Sequence, residues 1–168
     1  MAEGDETGDR LINAIRENWP EQNSTAMELV IRLFRLRDMI WSRSNDEAHR
    51  AGLTWGEFEA LAALRAGRRP HQMTPTEIAG LMLITSGGLT KILQGLESKG
   101  LVRRASNEAD GRSCFIELTD AGAVAIDALT AKMTADSEAL IGSALSQSDA
   151  SRILRSLEKL SRAADRQA

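Results

Sequence analysis

Apolar residues fall at helical spacing along most of this chain and switch to alternation in one short stretch past its middle. Ile78, Ala79, Leu81 and Met82 give one short helix an apolar side. Leu89, Ile92, Leu93 and Leu96 do the same for a second helix, which begins at Ser86 and stops at Gly100. Only Leu83, Ile84 and Thr85 separate the two, which predicts a tight turn. Thr74-Pro75-Thr76-Glu77 opens the first helix: Thr74 caps free N–H groups, Pro75 sits where its missing N–H costs nothing, and Glu77 completes a capping box. Beyond Gly100, Cys114, Ile116 and Leu118 alternate as a half-buried strand does, with Leu101 to Arg104 as its antiparallel partner and Ala105 to Arg112 as a polar tip. Two helices at a tight turn followed by a basic hairpin predict a winged helix-turn-helix, in a chain that is mainly α with a small β component (α+β).

Four segments follow from the rest of the pattern. Residues 1–8, small, acidic and aperiodic, read as a disordered tail. Residues 9–52 hold a short helix with Leu11, Ile12 and Ile15 on one side, ended by Trp19-Pro20, and then a long one. The long helix starts at Ser24 or Thr25, with a Thr25–Glu28 capping box, and carries Leu29, Leu33, Leu36, Ile40 and Val30, Phe34, Trp41 as adjoining stripes. Residues 53–118 form the winged lobe, whose first helix is capped by Thr54 and Glu57 and is followed by a loop from Arg68 to Met73. Residues 119–168 supply two more helices, one with Val124, Ile126, Leu129, Met133 and Leu140, the other with Ile153, Leu154, Leu157 and Leu160. These flanking faces exceed what one small lobe covers, so they predict a dimerisation region and an isologous homodimer that offers two reading helices to a pseudo-palindrome.

The second helix of the pair carries the candidate chemistry. Thr85, Ser86, Gly87, Gly88, Thr90 and Lys91 are small, hydroxylated or cationic, and they stand at a helix N-terminus, where backbone N–H groups favour phosphate. Two glycines inside a helix cost roughly 1 kcal/mol each against alanine, a cost that makes sense where another backbone or a base edge comes close. Arg103, Arg104 and Arg112 lie at the base and tip of the hairpin, within reach of a DNA backbone or minor groove.

Charge changes this picture only in its distribution. The net charge is −3, yet between Lys91 and Arg112 five basic residues face three acidic ones, while the acidity gathers near the N-terminus. A local basic face on an acidic chain suits a dimer that relies on sequence readout. No apolar run approaches the ~20 residues of a membrane span, and the acidic start is unlike a signal peptide, so a cytoplasmic protein is expected. A single cysteine, Cys114, and two isolated histidines, His49 and His71, offer no disulfide framework and no metal-ligand spacing, so no metal or cofactor is expected. Enzyme motifs are absent: there is no phosphate-binding glycine loop and no nucleophile elbow.

Taken together, Leu53-Thr54, Phe58, Leu61, Thr76-Glu77-Ile78-Ala79, Thr85 to Lys91, Leu96 to Arg104, Asp110-Gly111-Arg112 and Leu118 to Gly122 resemble the MarR family of bacterial transcriptional regulators. The resemblance covers about residues 53–122, and the flanking helices by layout only. It implies a homodimeric winged-helix repressor, less often an activator, whose hold on double-stranded DNA falls when a small aromatic or phenolic effector binds between the dimer helices and the DNA-reading lobe. It places Ser86, Gly87, Thr90 and Lys91 at the major groove and Arg112 near the minor groove, oriented by Asp110; Thr76, at the start of the first helix of the pair, is a further candidate DNA contact. A narrower resemblance is to the urate-responsive branch, which has an extra N-terminal helix with a tryptophan; Trp19 takes that place, and Glu59 stands where that branch commonly has an aspartate. Ile92 and Gly95 stand where that branch carries arginines, which favours a neutral aromatic effector over an anionic purine. Trp19, Trp41, Trp55 and Glu59 are then the candidate effector residues. Two rival readings are a winged helix that binds proteins, and an oxidant sensor acting through Cys114.

Overall fold

Hydroxyl side chains set where the helices begin. The computed structural model describes residues 3–82, 86–106 and 114–166. Helix α1 (Glu3–Asn18) leads through a 3-10 turn (Pro20–Gln22) into the long α2 (Thr25–Arg50). Then come α3 (Trp55–Ala66), the two-residue strand β1 (Gln72–Met73), α4 (Pro75–Met82), α5 (Ser86–Ser98), β2 (Val102–Ser106), β3 (Cys114–Leu118), α6 (Asp120–Ala144) and α7 (Gln147–Asp165). Thr54 and Glu57 form a reciprocal capping box on α3, and Thr74 with Glu77 does so on α4. Thr119 and Ser146 accept N–H groups at the starts of α6 and α7. On α2 the cap is Ser24, which accepts from the Met27 N–H; Glu28 instead pairs with Arg16 and Arg32, so the expected Thr25–Glu28 box does not form.

The three strands form an antiparallel sheet in the order β1-β3-β2, with Arg103 opposite Glu117 and Met73 opposite Ile116. Leu61, Leu64, Ile78, Leu93, Leu96 and Ile116 are fully buried where α3, α4 and α5 meet β3, and Ile126 and Leu129 of α6 extend that core. At roughly 25 cal/mol per Å² of apolar surface, each of these side chains contributes about 1.5–3 kcal/mol on burial. Gly100, at φ +67°, ends α5 in the left-handed region, as the sequence led one to expect of a C-terminal stop.

Several expectations need correcting. Residues from Glu3 onward lie in α1, not in a disordered tail; acidic residue types at a helix start suit the helix dipole. Met73 lies in β1, not in a loop. Leu81 and Val124 were expected on packed faces but are exposed, at 63% and 70%. Met82 of α4 packs on the core while Leu81, one position back, points away from it, and Ala123 likewise does the packing beside Val124.

Candidate nucleic-acid interface

The start of α5 stands out from the lobe because its residues are small. Both Gly87 and Gly88 lie within the helix, so the helical cost of glycine applies to each. A side chain added at Gly87 would meet no atom within 4 Å, which leaves open space in front of this backbone. Gly88, Thr90 and Lys91 are exposed beside it, and Thr76 is exposed on α4. Leu89 and Leu93 turn inward from the same helix and hold it to the core. Of the remaining expected DNA contacts, Thr85, Asp110 and Arg112 lie outside the described residues, as does the side chain of Ser86.

The two strand arginines are exposed but already engaged. Arg103 forks onto Glu117 of β3 through hydrogen bonds of 3.1 and 2.7 Å. Arg104 donates to Glu97 of α5 at 2.8 Å and to the Cys114 sulfur at 3.3 Å. They brace the hairpin against itself and against α5, and Cys114 is half-buried beneath one of them.

Behind α5 the structure holds a residue whose second role the sequence did not disclose. Glu57 caps α3, but its carboxylate also receives the Lys99 ammonium at 2.6 Å, and Lys99 donates to the Gly52 carbonyl at 2.8 Å. Glu57 is 4% exposed, the one buried charged residue among those described. Burial opposes its ionisation, yet the hydrogen bonds from Lys99 and from the Thr54 N–H outweigh that cost and hold the carboxyl below its ordinary value.

The expected effector residues fall into two places. Trp41 of α2 and Trp55 of α3 meet edge to face at 6.3 Å between ring centres, and Trp55 lies 4.9 Å from Phe58. Arg37 sits over the Trp41 ring at 5.7 Å. Trp19, 58% exposed, caps the 3-10 turn and joins neither of those ring contacts; Glu59 is half-buried on α3. A cleft of about 380 Å³ opens between α2 and α6, lined by Ile40, Arg43, Glu47, Met133, Asp136 and Leu140, and none of the three tryptophans lines it.

His71 links the lobe's loop to its sheet. Its backbone is left-handed at φ 61°, and its carbonyl accepts the Leu118 N–H at 3.1 Å. Arg65 can only donate to the ring Nε2 at 3.3 Å, so Nδ1 carries the proton donated to the Gly67 carbonyl at 2.9 Å. Arg65 also forks onto Asp127 of α6 at 2.8 and 3.0 Å, so the lobe is tied to that helix. Among the described residues no group of His, Cys, Asp and Glu has the arrangement of a metal site, and no helix is long and apolar enough to cross a membrane.

Comparison with known proteins gives consistent results. Residues 51–113 match the model of the MarR family. The HTH-type transcriptional regulator PecS of Dickeya dadantii is 41% identical over 66 residues, which is 39% of this chain and 40% of that protein. The HTH-type transcriptional repressor YetL of Bacillus subtilis is 29% identical over 106 residues, 63% of each chain. The chain thus matches less than two thirds of the length of either relative. The crystal structure of the Staphylococcus aureus MepR–DNA complex superposes with a TM-score of 0.67 at 23% identity, covering 79% of this chain and 96% of that one. The fold is therefore the winged helix-turn-helix of such structures, with seven α-helices and a small antiparallel sheet among the described residues.

Proposed function

We infer that this chain is a DNA-binding transcriptional regulator of the MarR family, which reads double-stranded DNA with the start of α5 and with its wing. The observation that carries the reading is the open space in front of Gly87, with Thr90 and Lys91 exposed on the same turn of a lobe that matches the family. Backbone N–H groups at a helix start favour a phosphate, and a bare glycine lets it come close. Ser86, Gly88 and Thr76 complete the major-groove face, and Arg112, oriented by Asp110, serves the minor groove.

The working unit in this reading is a homodimer. Phe34, Leu36, Ile40 and Trp41 on α2 and Ile153, Leu154, Leu157 and Leu160 on α7 are exposed, and a second copy covers them. The dimer acts as a repressor, as YetL is named, and a flat aromatic or phenolic effector releases it. The effector seats against Trp41 and Trp55 near Glu59, with Trp19 outside that ring cluster; Ile92 and Gly95 supply no cation from α5, although Arg37 of α2 lies over the Trp41 ring. It acts only through a difference in affinity for the two dimer conformations.

Titration of genomic DNA fragments at several salt concentrations tests the reading. Wild-type binding should weaken steeply with salt, and Arg112→Ala should lower affinity and flatten the slope by about one unit. Lys91→Ala should weaken all sequences alike if it meets phosphate, or cost about 1–3 kcal/mol at preferred sites if it meets a base. A neutral aromatic should quench tryptophan fluorescence and release DNA. Salt-independent retention on protein rather than DNA would overturn the assignment, while tight and selective release by urate would overturn only the effector.

A further inference from the structure

Ile92 and Gly95 enter the DNA-reading helix one turn apart, and each meets α3 through a glycine. Gly56 of α3 faces Ile92: a Cβ added there would lie 2.7 Å from the Ile92 Cδ1. Gly95 of α5 faces Glu57: a Cβ added there would fall far inside contact distance of the Glu57 Oε1. Each helix therefore presents a bare α-carbon to the other's side chain, and the two contacts lie side by side because Gly56 and Glu57 are adjacent. One of the two inserted groups is a buried carboxylate, tied to Lys99 one turn beyond Gly95.

Two apolar surfaces slide and rotate over one another at little cost. A carboxylate seated against a bare α-carbon does not, because it must keep its cation and its capping N–H at hydrogen-bond distance. Rotating α5 drives the Gly95 neighbourhood into Glu57 in one direction and strips Lys99 from it in the other. We propose that Glu57, seated against Gly95 and anchored by Lys99 and the Thr54 N–H, is a positioning residue that fixes the rotation of α5 about its own axis. It thereby sets the direction in which Gly87, Thr90 and Lys91 face. The consequence for DNA rests on the reading given above, but the rotation itself does not.

Gly95→Ala is the sharp test, because helix propensity and the seat pull in opposite directions. Alanine in an open helical position should raise stability, and Gly80→Ala, with nothing within 4 Å, serves as that control. Gly95→Ala should instead shift the amide resonances of Gly87, Thr90 and Lys91 and weaken DNA binding about tenfold, with the dimer intact. Glu57→Asp in the Gly95→Ala background shortens the intruding side chain by one methylene and should return both the resonances and most of the affinity. Unmoved resonances in Gly95→Ala would overturn the proposal, as would a loss that Glu57→Asp does not repair. A wild-type protein that binds no DNA, with the resonances still moving and returning, would overturn the functional reading and leave the positioning role standing.

Discussion

Glu57 does two jobs with one carboxylate, and both weaken together when that carboxylate takes up a proton. Because its carboxyl is held below the ordinary value of 4.5, its contribution to stability is complete above that value and is lost as pH falls through the lowered one. Glu57→Gln should therefore be less stable than wild type at neutral pH and converge with it in acid, as followed by urea unfolding. Lys99→Met should cost roughly 1–3 kcal/mol at neutral pH, a range kept modest because the ammonium reaches solvent and is screened. Equal stability of wild type and Glu57→Gln across the pH range would show that the ion pair carries no net weight. The capping half of this site was legible, since Thr54 and Glu57 have the spacing of a capping box. The Lys99 half was not: it joins residues 42 positions apart. Ile92 was legible as part of an apolar helix face and Gly95 only as a departure from a resemblance, while their fit to Gly56 and Glu57 required the packed helices.

At the scale of elements, periodicity and caps located α3, α4, α5 and α7 closely, because each begins on a hydroxyl or follows one directly and carries a clear apolar side. β1 escaped notice because two residues have no period; it exists only through its pairing with β3. α2 starts at Thr25, one of the two starts expected, but its cap is Ser24, and Glu28 pairs with Arg16 and Arg32 instead of closing a box with Thr25. The corner between α5 and β2 is a tighter case. A Cβ at Gly122 would collide with the Leu101 carbonyl, and Thr119 donates to the Gly100 carbonyl from the same turn. Backbone cannot move aside as a flexible side chain does, so Gly122→Ala should destabilise the protein by about 3 kcal/mol, read as a lowered Tm. A stability gain of the usual glycine-to-alanine kind would mean that the corner is loose.

For the whole molecule, the exposed apolar faces of α2 and α7 make the association state the decisive property. Sedimentation of the full chain at roughly micromolar concentration should give a dimer, as an interface of standard size or larger would. Leu154→Glu combined with Leu157→Glu should give a monomer with helical content unchanged and DNA affinity much reduced. A monomeric wild type would leave those faces without the partner proposed for them. This level was legible only as an excess of apolar surface, since one chain's sequence does not say against what its outer faces lie.

The tie between Arg65 and Asp127 has a mechanical consequence. With the His71 carbonyl bound to Leu118 and β1 zipped to β3, the lobe is riveted to the first third of α6. That helix has 25 residues and so forms a rod about 37 Å long. Tilting such a rod by about 10° swings its tip through about 6 Å, close to the pitch of a helix turn. A tilt of roughly 10° pivoting on the far end of α6 thus reaches the rivet at Asp127, about 26 Å away, as a displacement of about 4.5 Å, with the rivets carrying the lobe along as cargo on a boom.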